Sequence, residues 1–267
     1  MQPLDFPRRR NRPTLHLLSK INAELSGEAI KIRVSEVNYL KNRDPATLRP
    51  LGLSEELTKF LLAKYRGAAK KYRLAWIESL RKSHGLYSCP MCGSTGATSL
   101  DHYLPKEEYP EFSIFSYNLL PCCVACNQKR GNSGAFTRFG DSFLHPYFDH
   151  DLLRRTLLCV TFRHPYEAVI FMWRIYGARP NEKQRVVHHL ERSISEPLFR
   201  DSMQAFWNTW RRKSFRMASE ERVREALSLE ISDRELNGRN SWELAFMRGL
   251  EANSQAIVWM INNDPAH

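Results

Sequence analysis

No stretch of this 267-residue chain approaches the roughly 20 consecutive apolar residues that a membrane-spanning helix needs, so no membrane segment is expected. The opening MQPLDFPRRRNRP lacks the apolar centre of a secretory signal, and Asp5 with three prolines argues against an amphipathic import helix. A cytoplasmic location is the resulting expectation. Internal repeats and low-complexity segments are missing too, which sets aside solenoids and linker proteins. Acidic residues are scarce relative to basic ones, 29 against 40, for a formal net charge of +11. With 42% hydrophobic and 26% charged residues, the composition is that of a soluble globular chain able to bury a core.

The positive charge is unevenly spread. Residues 1–80 hold 16 Lys/Arg against 8 Asp/Glu, residues 81–150 hold 6 against 6, and the remainder 18 against 15. A basic segment beside a neutral one suits a polyanion, most often nucleic acid. Arg8, Arg9, Arg10 and Arg12 form a charged, Pro-flanked arm, and Lys70, Lys71 and Arg73 continue a basic helix face with Lys59, Lys64 and Arg66. A merely solvated tail and face is the alternative.

Periodicity predicts an α+β chain that is mostly helical. Leu15, Leu17, Leu18, Ile21 and Leu25 form a helical stripe ending near Gly27, and the pattern weakens from Ala29 to Arg49. Ser54 followed by Glu55 and Glu56 reads as an N-cap of a helix running to Ile77 or Leu80. Thr156–Arg163 and Glu167–Tyr176 predict a hairpin. Helices follow at Asn181–Ser193, from Pro197 with an aromatic stripe, at Ser219–Leu229 and at Ser241–Asn262. These readings divide the chain into a basic helical part (1–82), a central module (83–150) and a C-terminal hairpin-plus-helix part (151–267).

The central module carries the chemistry. Four of the six cysteines lie in two CxxC pairs, Cys89/Cys92 and Cys123/Cys126. In a chain expected to be cytoplasmic such pairs favour zinc thiolates over disulfides. Two pairs close a tetrahedral site with no open position, which makes the zinc structural. Cys122 leaves the second pair ambiguous, although Cys123/Cys126 keeps the spacing of the first. Cys159, in the apolar run TLLCVTF, reads as a buried core thiol.

Between the pairs sits Leu100-Asp101-His102-Tyr103-Leu104-Pro105-Lys106. Asp101 and the Asn127 side chain can give a hard divalent cation oxygen ligands. A neutral imidazole at His102 is suited to take a proton from water. In a regular strand neighbouring side chains face opposite ways, so Asp101 and His102 normally do not share a site, though a turn or bulge can bring both to one phosphate.

The order CxxC, DH, Asn, CxxCNxxK over about 45 residues resembles the HNH endonuclease family, whose ββα-metal fold is two strands and a helix. That resemblance implies a small zinc-clamped ββα-metal HNH module embedded between N- and C-terminal helical regions. It implies that His102 is the general base, that Asp101 and Asn127 hold catalytic Mg²⁺ or Mn²⁺, and that Asn118 holds the loop that aims the histidine. Lys129 falls on a basic position that approaches phosphate, with Arg130 beside it. The wording DHYLPKEEYPEFSIFSYNLLPCCVACNQKRG with FLHPYFD is similar to HNH proteins of mobile-element and phage-defence loci, such as the nuclease subunit of the Septu system, which works with a partner ATPase. The implied activity is phosphodiester hydrolysis, on DNA in preference to RNA such as transfer RNA. The rival readings are an effector subunit controlled by an ATPase and a zinc-dependent nucleic-acid-binding module without catalysis. His145, in His145-Pro146-Tyr147, supports the site or simply packs.

Overall fold

The computed structural model describes residues 1–7, 12–42, 48–67, 74–81, 86–131 and 142–265, the side chain of Arg12 excepted. Among the described residues the chain is α+β and mostly helical, with two small antiparallel sheets.

The first helical stripe breaks earlier and resumes longer than the sequence suggests. α1 (Arg12–Ser19) ends before Ile21, and α2 (Ala23–Asn42) runs on through Gly27. The Asn22 side chain accepts from the Leu25 amide at 2.8 Å, so a local cap restarts the helix. Gly27 is simply tolerated inside α2, whose Leu25, Ile32 and Tyr39 are buried. α3 (Glu55–Gly67) begins as its Ser54 cap predicts, with Ser54 Oγ accepting from the Leu57 amide at 3.0 Å. Its described part reaches Gly67, and Leu74, which is not helical, precedes the separate α4 (Ala75–Arg81).

Strands β1 (Ser99–His102) and β2 (Leu119–Cys122) pair antiparallel, with Asp101 opposite Leu120 and His102 opposite Leu119. α5 (Val124–Arg130) follows directly, and after it the short α6 (His150–Leu153). The expected hairpin forms as β3 (Leu158–Arg163) and β4 (Ile170–Ile175), in unbroken register from Leu158–Ile175 to Arg163–Ile170. α7 (Pro180–Ser193), α8 (Glu196–Met217) and α9 (Glu220–Glu235) match the helical patterns read in that region. The last pattern is two helices rather than one. α10 (Trp242–Glu251) stops, and Asn253 accepts from the Ala256 amide at 3.0 Å to start α11 (Ser254–Asn262).

The first sheet separates two apolar clusters. Leu100 and Leu119 pack with Leu57, Leu61, Tyr65 and Ile77 of the N-terminal helices. Leu120 and Cys122 belong to a larger core shared with β3, α7, α8, α10 and α11. Covering on both faces explains why all four β2 residues are buried. α10 lies tightly on β3, since a Cβ at Gly249 would come within 2.0 Å of the Val160 carbonyl oxygen. Phe199, Met203, Trp207 and Trp210 of the aromatic stripe are buried in this core. Cys159 is half-buried, its thiol donating to the Val160 carbonyl at 3.6 Å.

Candidate metal centre and strand–helix site

The cysteine cluster is built by a turn and a helix start. The turn after Cys89 is closed by the Gly93 amide on the Cys89 carbonyl at 2.9 Å. Gly93 has φ +87°, and a Cβ there would meet the Asn240 carbonyl oxygen at 2.1 Å, so both conformation and space call for glycine. The other pair brackets the first turn of α5, where Cys123 is the N-cap and its sulfur accepts from the Cys126 amide at 3.3 Å.

The Sγ atoms of Cys89, Cys92, Cys123 and Cys126 all lie within 4.8 Å of one another and are buried. Separations of 3.7 Å for Cys92–Cys123 and 4.0 Å for Cys89–Cys126 are close to the edge, about 3.8 Å, of a tetrahedron with Zn–S bonds of about 2.3 Å. Four soft donors at this spacing fit a structural zinc. Backbone amides support the charge zinc ligands carry: Cys123 N–H points to Cys89 Sγ at 3.2 Å and Ser94 N–H to Cys92 Sγ at 3.4 Å. Hydrogen bonds from Cys126, Cys89 and Cys92 draw the Cys123 thiol far below its usual range. Cys122 is not among the four. It sits on β2 opposite Ser99, and burial raises its thiol well above the usual range.

Distant residues lock the turn. The Trp242 indole donates to the Cys92 carbonyl at 2.7 Å and the Trp242 amide to the Gly93 carbonyl at 2.8 Å. The Met91 carbonyl accepts from His189 Nε2 at 2.5 Å, while His189 Nδ1 accepts from the Leu144 amide at 3.2 Å. These two bonds require the neutral ring, and burial lowers its pKa to about 3. Sequence reasoning missed this clamp, because Trp242 and His189 lie far along the chain and look like ordinary helix residues.

β1 sends its candidate residues to two sides. Ser99 and Asp101 face α5, where Asn127 Nδ2 donates to Ser99 Oγ at 2.7 Å and Arg130 Nη1 to Asp101 Oδ2 at 2.6 Å. Asp101 Oδ1 accepts from the His102 amide at 2.7 Å. Burial raises the Asp101 pKa, and Arg130 offsets part of that rise. Leu100 and His102 face the N-terminal helices, the His102 ring lying 4.4 Å from that of Tyr65. The register is regular through His102, with no bulge to bring the two side chains to one side.

His102 is nevertheless tightly aimed. Its Nε2 donates to the Ser113 carbonyl at 2.9 Å, which leaves Nδ1 as the lone-pair nitrogen of a neutral ring. Burial lowers its pKa to about 4, with the Ser113 bond working the other way. Asn118 ties the intervening loop. Its Oδ1 accepts from the Leu104 amide at 2.7 Å, and its Nδ2 donates to the carbonyls of Leu104 at 3.1 Å and Phe112 at 3.3 Å. Behind it the Tyr39 hydroxyl lies 3.3 Å from Asn118 Oδ1 and 3.1 Å from His145 Nε2. His145 Nδ1 accepts from the Tyr147 amide at 3.2 Å, so Nε2 carries the proton toward Tyr39. His145 thus joins the site's scaffold through Tyr39, a link with no sequence signal because Tyr39 comes from α2.

The basic residues divide similarly. Lys129 donates to the Ile194 carbonyl at the end of α7. Arg130 is only 4% exposed, with its guanidinium 4.7 Å from the Phe143 ring centre, which places it inside rather than on an open phosphate-binding surface. Arg8, Arg9, Arg10, Lys70, Lys71 and Arg73 lie outside the described residues, as does the Arg12 side chain. Of the helix-face lysines, Lys59 pairs with Glu55 at 2.5 Å and Lys64 lies 4.7 Å from the Phe60 ring centre. No described helix is long and apolar enough to cross a membrane.

Protein Ea31 of Escherichia phage lambda is similar to this chain, with 33% identity over 116 residues, covering 39% of this chain and 36% of Ea31. The matched part is about a third of the relative's length. No family profile matches the chain, and no solved structure matches it. What stands is a mostly helical α+β protein with four clustered buried cysteines able to hold zinc and a partial likeness to a phage protein.

Proposed function

We propose that the chain is a zinc-clamped, metal-dependent endonuclease of the HNH type that hydrolyses nucleic-acid phosphodiester bonds, DNA in preference to RNA. The observation that carries this reading is the mounting of His102. It is a neutral imidazole at the end of β1, with Nε2 held by Ser113 and the neighbouring loop tied at three points by Asn118. His189 and His145 have both ring nitrogens in hydrogen bonds, whereas among the described residues His102 is bonded through Nε2 and keeps the Nδ1 lone pair for a proton.

In this reading His102 Nδ1 accepts the proton of the attacking water. Asp101 and Asn127 supply oxygen donors that fit a hard divalent ion by donor type; they lie on the face of β1 opposite His102, so in this reading the phosphate meets both beyond the strand's end at His102. When bound there, Mg²⁺ or Mn²⁺ would supply charge stabilisation for the phosphoryl oxygens and leaving group. Asn118, Tyr39 and His145 act only on the loop. Products carry 5′-phosphate and 3′-hydroxyl ends. Backbone chemistry of this kind reads no bases, so specificity comes from the basic N-terminal part, the C-terminal helices or a partner such as an ATPase. The likeness to a phage protein supports a setting in mobile elements or anti-phage defence.

The test is cleavage of plasmid DNA, with transfer RNA in parallel, by zinc-loaded protein in Mg²⁺ or Mn²⁺. Replacing His102 by Ala should lower the rate by about 10²–10⁴-fold, the usual worth of a positioned base. Equal rates from wild type and a folded, zinc-replete His102→Ala protein would remove the assignment.

A further inference from the structure

Arg130 is not used by the proposed chemistry, yet it is among the most enclosed charges of the described chain. Its Nη1 lies 2.6 Å from Asp101 Oδ2, and Nη2 donates to the Tyr103 carbonyl at 3.4 Å. Its guanidinium lies 4.7 Å from the Phe143 ring centre, and the residue is 4% exposed. The second carboxylate oxygen is engaged by the His102 amide at 2.7 Å. Three residues earlier on α5, Asn127 faces the same side of β1 through Ser99. Asn127, which would coordinate an ion, and Arg130, which neutralises Asp101, therefore sit about one helical turn apart on the face of α5 toward β1.

A divalent ion binds a carboxylate oxygen at about 2.0–2.6 Å. A guanidinium held at hydrogen-bond distance from the same carboxylate then lies within a few ångströms of that ion, where like charges repel strongly in a partly buried setting. We propose that Arg130 and the divalent ion compete for Asp101, so that Arg130 sets the ion concentration at which the site loads. This rests on Asp101 being an ion ligand. Arg130 is then a positioning residue: it holds the carboxylate in place and makes ion binding conditional on its own displacement.

The experiment measures Mn²⁺ binding to the full-length, zinc-loaded protein by the loss of free-ion electron paramagnetic resonance signal, with no nucleic acid present. Arg130→Gln removes the competing charge and should tighten Mn²⁺ binding on the order of tenfold or more. Arg130→Lys keeps a charge but loses the planar fork, so it should tighten binding by a smaller factor. It also provides the readout should Arg130→Gln fail to retain zinc and native circular dichroism. Asp101→Asn should abolish binding in the wild-type and the Arg130→Gln backgrounds alike. Unchanged or weaker Mn²⁺ affinity in folded Arg130 variants, with Asp101→Asn still abolishing it, overturns the competition and leaves the nuclease reading standing. Wild-type affinity in Asp101→Asn overturns both.

Discussion

The cysteine cluster and the Asp101–Arg130 pair share one strand–helix unit, with α5 contributing Cys126 to the first and Arg130 to the second. They treat buried charge in opposite ways. The cluster brings four sulfurs within 4.8 Å of one another, and the groups fixing its shape are backbone amides and carbonyls, the Trp242 indole and the neutral His189 ring. The Met1 amine lies near the sulfurs but carries at most one positive charge, so four thiolates there still call for a bound cation. Asp101 instead has a cation of the chain's own, one turn of α5 beyond Cys126. On the proposed reading, the contrast separates a metal on which the fold would depend from a metal that the site could do without while staying folded.

Zinc removal should break that contrast most severely. Replacing Cys92 or Cys123 by Ser, or chelating zinc, is expected to abolish cooperative unfolding, since structural zinc contributes about 10–16 kcal/mol in small zinc-dependent folds. Thermal melts with zinc quantified by an indicator dye check this, and a Cys92→Ser protein that melts like wild type would mean that the cluster is not a clamp. Leaving out Mg²⁺ or Mn²⁺ while zinc is retained should keep the protein folded, lowering the melting temperature only by the small linkage of an ion that binds the native state.

The second prediction sharpens the other half. Asp101→Ala leaves Arg130 buried beside no carboxylate and should cost about 3–5 kcal/mol in urea unfolding, the range for breaking a buried pair. Adding Arg130→Met should recover a substantial part of that loss. Additive costs in the double mutant would show that the two residues are not coupled.

The cysteine pairs were legible because CxxC geometry is local: two turns of fixed length deliver four sulfurs whatever surrounds them. Cys122 against Cys123 was not legible, since that choice depends on which residue ends β2 and which caps α5. The breaks at Asn22 and Asn253 were hidden because the apolar stripe continues across both, while a single side-chain cap restarts the helix. The division of Asp101 and His102 between two faces follows from strand alternation. What lies on each face follows only from packing.

The smallest expected effect concerns acid. His189 is held neutral by burial, with a pKa of about 3, and His145 is held well below 6.5 for the same reason. Between about 6.5 and those values the unfolded chain binds more protons than the folded one, so stability rises with pH across that window. Urea midpoints should fall steadily as pH drops from 6.5 toward 4 and stay level in this respect above it. Followed beside zinc release, the midpoint should begin to fall before zinc appears. A flat midpoint between pH 6.5 and 5 would contradict the neutral, buried state of both rings.

By itself the sequence determined the mostly helical α+β class, the two cysteine pairs, the hairpin of β3 and β4, and the residue types gathered around Asp101 and His102. These are properties of short-range spacing, which backbone geometry converts directly into turns, caps and strand faces. Only the tertiary structure decided that Trp242 and His189 clamp the cysteine turn, that Tyr39 and His145 brace Asn118, and that Arg130 is the partner of Asp101 rather than a surface cation. Those contacts join residues brought together by burial of apolar faces. The hydrogen-bonding groups carried into the core must then find partners wherever the packing places them.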